Sequence, residues 1–227
     1  MRAPLSLDPR RTALLLIDLQ EEQRQHPLYS VAGFDHVLGN ARSLLQSARH
    51  RGLRIIHAAY RRDFASCPPR PFEPLADDGT PAFSDAANPL TAICNEVCPI
   101  EPERVIYKND ASAFSGGALK ESLSDHRIEW LIMTGVWTEA CVAATIRDAI
   151  AAGFHVLLVK NACGSGTESM HQTAVLNIAN RLYGGAVTDT QGAVKLIEGE
   201  EIDVWVADRP VPLLFNYSDA ARHYWNL

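Results

Sequence analysis

Residues 131–154 constrain the fold of this chain more than any other part of its sequence. An apolar run ending at Met133 reaches Gly135, turns, and carries Cys141 into the first turn of a predicted helix. Apolar residues then recur at helical spacing, so the helix packs one face against the preceding strand. A buried strand followed at once by such a helix is typical of a parallel sheet with helices on both faces.

Cys141 occupies the position in this segment that is most suited to chemistry. Thr138 is the expected N-cap of the helix, and Glu139 lies near the positive end of its dipole. Unpaired backbone N–H groups and the dipole favour thiolate, so we expect a lowered thiol pKa and a nucleophile. The alternative is a structural cysteine, because cysteine is among the most buried residue types.

Two other predicted strands end in a charged residue. Asp18 follows the apolar run Thr12–Ile17, and Lys108 follows a short strand over residues 105–107. Open α/β sheets bind their ligands beyond the carboxyl ends of the strands, so one crevice could gather both residues with Cys141. Taken singly, Asp18 could equally cap a helix, and Lys108 could be a solvated loop residue.

The rest of the chain alternates between strand and helix patterns. Further strands are predicted over residues 53–59, 154–160 and 186–188, and helices over residues 34–51, near Ala118, over residues 168–182 and near Val194. Residues 60–103 are rich in proline and acid and lack periodicity, which predicts a functional loop or lid.

Three motifs together resemble the isochorismatase-like cysteine hydrolases. These are IDLQ with Asp18, YKNDASAF with Lys108, and TGVWTEACVAATIRDA with Cys141, in the order of that superfamily. The superfamily includes nicotinamidases, N-carbamoylsarcosine amidases, ureidoacrylate hydrolases and biuret hydrolases. The resemblance covers about residues 10–198 and implies a three-layer α/β/α fold with a mainly parallel, Rossmann-like central sheet.

The resemblance also implies catalytic roles. Asp18 is the implied general base, Lys108 its cationic partner and Cys141 the nucleophile. In the implied reaction, Cys141 forms a covalent acyl intermediate with an amide or ureide, and ammonia or an amine is released. The resemblance implies that the bond between Val136 and Trp137 is cis. It also implies that the backbone N–H groups of Trp137 and Cys141 form an oxyanion hole.

No metal or other cofactor is expected. Nicotinamidases bind a divalent cation through a D-x-H arrangement after the second strand, whereas this chain has HAAYRRDFASCPP there. His57 lies within the strand and is expected in the core. Cys94 and Cys98 have no second ligand pair at metal spacing, so we expect them to be structural.

Substrate contacts are less constrained by the sequence. A triuret- or biuret-like ureide and an N-carbamoyl compound both remain open, the latter if an arginine binds its carboxylate. Nicotinamidase-like or other carboxamide hydrolysis and a catalytically silent binding or assembly protein are alternatives. The candidate substrate-binding residues are Gln20, Gln23, Arg61, Phe114, Trp137 and Tyr183.

Composition favours a cytoplasmic enzyme without nucleic-acid or membrane partners. The chain has 227 residues with 27 acidic against 21 basic side chains and five cysteines, and it contains no basic run or membrane-spanning apolar run. Residues 1–199 are predicted to form one hydrolase domain. Residues 200–227 form an aromatic-rich C-terminal arm, expected to contact another subunit of a homodimer or homotetramer.

Overall fold

A central eight-stranded sheet organises the structure, a computed structural model that describes residues 1–27 and 29–227. The strands are β1 Arg2–Leu5, β2 Thr12–Ile17, β3 Arg54–Tyr60, β4 Arg104–Lys108, β5 Trp130–Val136, β6 His155–Gly164, β7 Ala186–Thr188 and β8 Ile202–Val206. Their order in the sheet is β1-β8-β7-β6-β5-β2-β3-β4. Strands β2 to β7 pair in parallel, and β8 is antiparallel to both β7 and β1.

Helices cover both faces of this sheet. They are α1 Glu22–Gln25, α2 Phe34–His50, α3 Ala118–Asp125, α4 Ala143–Ala151, α5 Glu168–Ala179, α6 Thr190–Glu198 and α7 Ala220–Trp225, with a π-helical turn, Thr138–Val142, before α4. Short 3-10 turns occupy Pro9–Arg11, Pro89–Thr91 and Asn95–Val97. One apolar core lies between the sheet and α3, α4, α5 and α7, and a second between the sheet and α2 and α6.

The predicted α/β fold with a mainly parallel sheet is confirmed. All six residues of β2 are buried, as expected for a central parallel strand covered on both faces. Each helix and strand predicted from the sequence is present. The sequence analysis did not predict β1, β8 or α7.

The C-terminal segment contributes to the same fold as the rest of the chain. Strand β8 completes the sheet between β1 and β7. The backbone of Leu213 exchanges two 2.8 Å hydrogen bonds with the side chain of Asn180, next to α5. Contact of this segment with another subunit remains a prediction, and its first part belongs to the central sheet.

Several bonds tie the long connection between β3 and β4 to the start of the chain, and the side chain of Gln20 makes three of them. Gln20 is fully buried, and its Nε2 donates to the carbonyl oxygens of Tyr60, at 3.0 Å, and Thr91, at 2.7 Å. Its Oε1 accepts from the backbone N–H of Tyr60 at 2.9 Å. Among the described residues, no helix is long and apolar enough to cross a bilayer.

Candidate active site

The carboxyl ends of three nearby strands deliver the three predicted catalytic side chains. Strand β2 lies between β5 and β3, and β4 is the next strand beyond β3. Asp18 directly follows β2, Lys108 is the last residue of β4, and Cys141 lies in the turn after β5. The backbone of Asp18 has a φ of 51°, and its N–H donates to the carbonyl of Ala58 in β3 at 2.8 Å.

These three side chains are in contact. Lys108 Nζ lies 2.8 Å from Asp18 Oδ2 and 3.3 Å from Cys141 Sγ. The ammonium also donates to the carbonyl of Asp110 at 3.1 Å and lies 4.4 Å from the centre of the Tyr60 ring. Asp18 and Lys108 are each 2% exposed and Cys141 is 9% exposed, so the site is nearly closed to bulk water.

Electrostatics in this cluster favour a charged lysine. Burial opposes the ammonium of Lys108, but attraction to Asp18 and Cys141 outweighs it, and the pKa of Lys108 is raised. A buried ion pair between Asp18 and Lys108 therefore lies directly beside the sulfur.

The thiol itself is not activated in this resting geometry. Burial raises the pKa of Cys141, and the Asp18 carboxylate raises it further, whereas Lys108 only partly opposes both effects. The expectation of a lowered thiol pKa is therefore wrong. The helix N-terminus does not compensate for removing the sulfur from water.

The turn that carries Cys141 has an unusual backbone. Gly135 has a φ of 129°, and a Cβ atom there would lie 2.0 Å from the carbonyl oxygen of Ile17, so only glycine fits. The bond between Val136 and Trp137 is cis, as the resemblance implies.

The Trp137 carbonyl accepts from the N–H groups of Ala140 and Val142, at 3.0 and 3.2 Å. The N–H of Cys141, which lies between them in sequence, makes no such bond to Trp137 in the described structure. This arrangement is compatible with an oxyanion hole that includes the Cys141 N–H.

Two of the predicted substrate-binding residues, Trp137 and Gln23, are bonded to each other at the start of this turn. The Trp137 indole Nε1 donates to Gln23 Oε1 at 2.7 Å, and Gln23 is buried. Phe114 is half-buried and packs against Phe154, with ring centroids 5.9 Å apart, at the edge of the core beneath α4. Gln20 uses both ends of its amide in the backbone bonds described above, so its observed role is to fix the loop.

Tyr183 and Arg61 do not join the catalytic cluster. Tyr183 precedes β7 and therefore lies at the amino end of the parallel strands. The carbonyl of the next residue, Gly184, contacts the ring of His155 at the start of β6. The candidate catalytic residues Asp18, Lys108 and Cys141 lie at the opposite, carboxyl edge of the parallel strands. The guanidinium of Arg61 lies 5.3 Å from the centre of the Tyr107 ring. Because successive side chains of β4 point to opposite faces of the sheet, Tyr107 and the guanidinium of Arg61 lie on the face away from Lys108.

A buried acid absent from the sequence prediction lies close to the trio. Glu22 is 3% exposed, accepts from the backbone N–H of Ser84 at 3.1 Å and from its hydroxyl at 3.0 Å, and interacts electrostatically with Asp18 and Lys108. Burial raises the pKa of Glu22 against the effect of the Ser84 bonds. Ser84 is remote in sequence, so only the tertiary fold reveals this contact.

A metal would find few suitable ligands in the part of the chain that the structure describes. His57 is buried, as expected, and its Nε2 lies 2.9 Å from Glu103. One described group of side chains has ligand-like spacing: Glu21, Cys94 and Glu96. The guanidinium of Arg24 pairs with both glutamates, at 3.4 and 2.6 Å, so a cationic side chain already offsets part of the negative charge of this cluster.

Comparison with known proteins identifies the family. The model of the isochorismatase domain matches residues 12–192. The chain belongs to the isochorismatase family. Among its isochorismatase-family relatives, an N-carbamoylsarcosine amidase from Arthrobacter is 30% identical, over 83% of this chain and 72% of that protein. A maleamate amidohydrolase from Pseudomonas putida is also 30% identical, over 79% of this chain and 84% of that protein.

A solved structure supports the fold of this isochorismatase-family chain. The cysteine hydrolase from Pseudomonas syringae superposes with a TM-score of 0.76 at 19% identity, covering 86% of this chain and 95% of that one. The family and its named amidases and amidohydrolases establish the chain as a hydrolase of carbon–nitrogen bonds other than peptide bonds.

Proposed function

We propose that this isochorismatase-family hydrolase is a metal-independent cysteine amidohydrolase that cleaves a small, uncharged ureide or amide through a covalent intermediate on Cys141. The observation that carries the proposal is the contact of Lys108 Nζ with both Asp18 Oδ2, at 2.8 Å, and Cys141 Sγ, at 3.3 Å. An acid, a cation and a thiol in contact supply a base, a charge partner and a nucleophile.

In the first half of the reaction, Asp18 takes the proton from the thiol. The raised pKa of Cys141 makes this transfer necessary, because the neutral thiol is a weak nucleophile. Asp18 Oδ1 is buried and has no hydrogen-bond partner in the described structure, so it is available to accept that proton. Lys108 stays charged and stabilises the thiolate as it forms.

The sulfur then attacks the substrate carbonyl carbon. The N–H groups of Trp137 and Cys141 receive the oxyanion. When the tetrahedral intermediate collapses, the carbon–nitrogen bond breaks and the proton held by Asp18 passes to the departing nitrogen. Ammonia or an amine leaves, and a thioester or thiocarbamate remains on Cys141.

In the second half, water hydrolyses this intermediate. Asp18, again ionised, takes a proton from the attacking water, and oxygen adds to the carbonyl carbon. The carbon–sulfur bond breaks, the proton returns to sulfur, and the carboxylic or carbamic acid leaves. The same three side chains therefore act in both halves.

The arginines of the neighbouring loop favour an uncharged substrate over an N-carbamoyl amino acid. Arg61 lies over Tyr107, and the buried Arg62 binds both carboxylate oxygens of Glu73 at 2.9 Å. The guanidinium of Arg70 pairs with Glu73 and with Asp110. Arg62 and Arg70 are already paired with acids, Arg61 is on the face away from Lys108, and Glu22 adds a buried acid. We therefore expect a carboxylate on the substrate to find no free cation beside the trio among these described side chains.

A panel of amides tests the proposal. Ammonia release is measured with biuret, triuret and nicotinamide as uncharged compounds, and with N-carbamoylsarcosine, maleamate and ureidoacrylate as carboxylates. We expect kcat/KM to be at least about tenfold higher for an uncharged ureide than for any carboxylate, a difference of about 1.4 kcal/mol. A preferred carboxylate would refute the proposed substrate class, and a preference for nicotinamide would favour the nicotinamidase-like alternative.

The Cys141→Ala variant tests the mechanism, and Cys98→Ala is its matched control. Its turnover of the preferred substrate should fall at least about a thousandfold, because the nucleophile is lost. Cys98→Ala, which removes an exposed thiol, should retain wild-type turnover. Turnover by Cys141→Ala would refute the covalent mechanism. A protein that turns over no member of a broad amide panel, and whose Cys141 reacts with iodoacetamide no faster than Cys94, would instead be a silent binding protein.

A further inference from the structure

A chain of buried hydrogen bonds joins the C-terminal helix to the turn that carries Cys141. Tyr224 in α7 lies 3.2 Å from His171 Nε2, and His171 Nδ1 lies 2.8 Å from Thr138 Oγ1. Thr138 Oγ1 donates to the carbonyl of Gly164, at the end of β6, at 2.9 Å. Thr138 is fully buried, and Tyr224 and His171 are 5% and 8% exposed.

The proton positions along this chain follow from its acceptors. The single hydroxyl proton of Thr138 points to the Gly164 carbonyl, so Thr138 Oγ1 accepts from His171 Nδ1–H. His171 Nε2 is then unprotonated and accepts from the Tyr224 hydroxyl. Burial lowers the pKa of His171 to about 4, despite the nearby carbonyl of Lys160, so the imidazole is neutral at pH 7 and has one N–H to donate.

Tyr224, at the outer end of these hydrogen bonds, is also held by contacts other than its hydroxyl bond to His171. Lys160 Nζ donates to the backbone carbonyl of Tyr224 at 2.9 Å and lies 5.0 Å from the centre of its ring. The Tyr224 ring also meets the His171 ring edge-on, with centroids 5.5 Å apart. Burial raises the pKa of Tyr224, so its hydroxyl keeps the proton it donates.

Thr138, at the inner end of these hydrogen bonds, begins the turn that carries Cys141. Thr138 is the first residue of the π-helical turn, and its carbonyl accepts from the N–H of Ala143. That bond closes the turn around Cys141, whose sulfur must lie within reach of both Asp18 and Lys108. A small rotation of Thr138 would therefore move the sulfur relative to its two partners.

We propose that His171 and Tyr224 are positioning residues, through which the C-terminal helix holds Thr138 and hence the Cys141 turn in its reactive geometry. The proposal rests on the assignment of Cys141 as nucleophile. It makes the helix at the end of the chain a part of the catalytic apparatus, although none of its residues touches the trio.

Tyr224→Phe tests the chain by removing one hydroxyl, and Tyr217→Phe is the matched control because Tyr217 is 97% exposed. With the preferred substrate of the amide panel, Tyr224→Phe should lower kcat about fivefold and change KM by less than twofold. Tyr217→Phe should leave both unchanged. Equal kinetics for wild type and Tyr224→Phe would overturn the proposal.

His171 variants separate positioning from packing. His171→Ala should lower kcat about tenfold or more, and His171→Asn should recover part of that loss, because its amide can donate to Thr138 in place of Nδ1–H. In the His171→Asn background, Tyr224→Phe should have no further effect on kcat, because the bond that it removes no longer exists. Additive effects of the two substitutions would overturn the proposal.

Alkylation of Cys141 provides a readout that needs no substrate. The pH midpoint of its reaction with iodoacetamide should move towards the ordinary thiol range in Tyr224→Phe, because a loosened turn admits water to the sulfur. Tyr217→Phe should not move it. A midpoint and kcat equal to wild type, with only the melting temperature lowered, would show a purely structural role. Turnover by Cys141→Ala would instead remove the nucleophile assignment itself.

Discussion

Lys108 and Asp18 form an ion pair of 2.8 Å in which neither side chain is more than 3% exposed. Such a pair adds little to stability when intact, but the removal of one partner leaves the other charge buried. The two residues to which we assign the base and its charge partner are therefore also expected to matter for stability.

We predict that Lys108→Met lowers the free energy of unfolding by about 3 kcal/mol at pH 7, because Asp18 is left without its cation. The double variant Asp18→Asn/Lys108→Met should be more stable than Lys108→Met alone. Urea unfolding of the wild type, the single variants Lys108→Met and Asp18→Asn, and the double variant measures the coupling between the two residues. Strictly additive changes would show that the pair does not interact.

The alkylation profile of Cys141 should reflect its buried, acidic surroundings. Because burial and Asp18 raise the thiol pKa, the rate with iodoacetamide should reach its half-maximum at a higher pH than the value of about 8.5 for a free thiol. Asp18→Asn should move the midpoint to lower pH. Mass spectrometry distinguishes Cys141 from the exposed Cys98, and an unchanged midpoint in Asp18→Asn would contradict the electrostatic description.

Gly135 and Gly39 make a matched pair of alanine substitutions. Gly135→Ala should lower the free energy of unfolding by more than about 4 kcal/mol, or prevent folding, since its Cβ would collide with the Ile17 carbonyl. Gly39 lies inside α2 with nothing within 4 Å of an added Cβ, so Gly39→Ala should raise stability by about 0.5–1 kcal/mol. Similar effects at the two positions, measured by chemical denaturation, would contradict the geometry of the β5 turn.

Stability should depend on pH through Glu22. Burial raises the pKa of Glu22 in the folded protein. The protonated side chain therefore adds to the free energy of unfolding at pH values below the ordinary glutamate pKa of 4.5, and this contribution is lost as the pH rises through the pKa of the folded protein. We therefore predict that Glu22→Gln gains stability relative to wild type between pH 4.5 and pH 7.5. Urea midpoints at these two pH values measure the change. If Glu22→Gln instead lost stability relative to wild type as the pH rose, Glu22 would be stabilised as a carboxylate.

Exposed apolar side chains near the C-terminus should mark a contact between copies of the chain. Leu214 and Trp225 are 81% and 67% exposed. We predict a homodimer or homotetramer whose mass, measured by light scattering, falls when Leu214 and Trp225 are both replaced by serine. Phe72→Ser, which changes an 81% exposed residue in the loop after β3, is the control. An oligomer unaffected by the double substitution would place the interface elsewhere.

The sequence was sufficient to predict that Asp18, Lys108 and Cys141 lie together, because each is at or beyond the end of a recognisable strand, and parallel strands bring their carboxyl ends to one edge. It was not sufficient for the thiol pKa, since the local helix signal carries no information about burial by distant segments. Tyr183 was misplaced for a related reason: it precedes its strand, and residues before a parallel strand lie at the opposite edge. The antiparallel β1 and β8 have only short, partly exposed patterns, which local periodicity does not distinguish from an extended arm.

The three bonds of Gln20 have a consequence for how this scaffold can diversify. They fasten both ends of the segment between Tyr60 and Thr91 to the residue two positions after Asp18, and within the segment Ser84 is bound to Glu22. As long as Ser84 keeps its bonds to Glu22, the rest of that segment could lengthen, shorten or be exchanged while the acid, amine and sulfur keep their spacing. Such a modular arrangement offers one route to new substrate preferences without rebuilding the reaction centre.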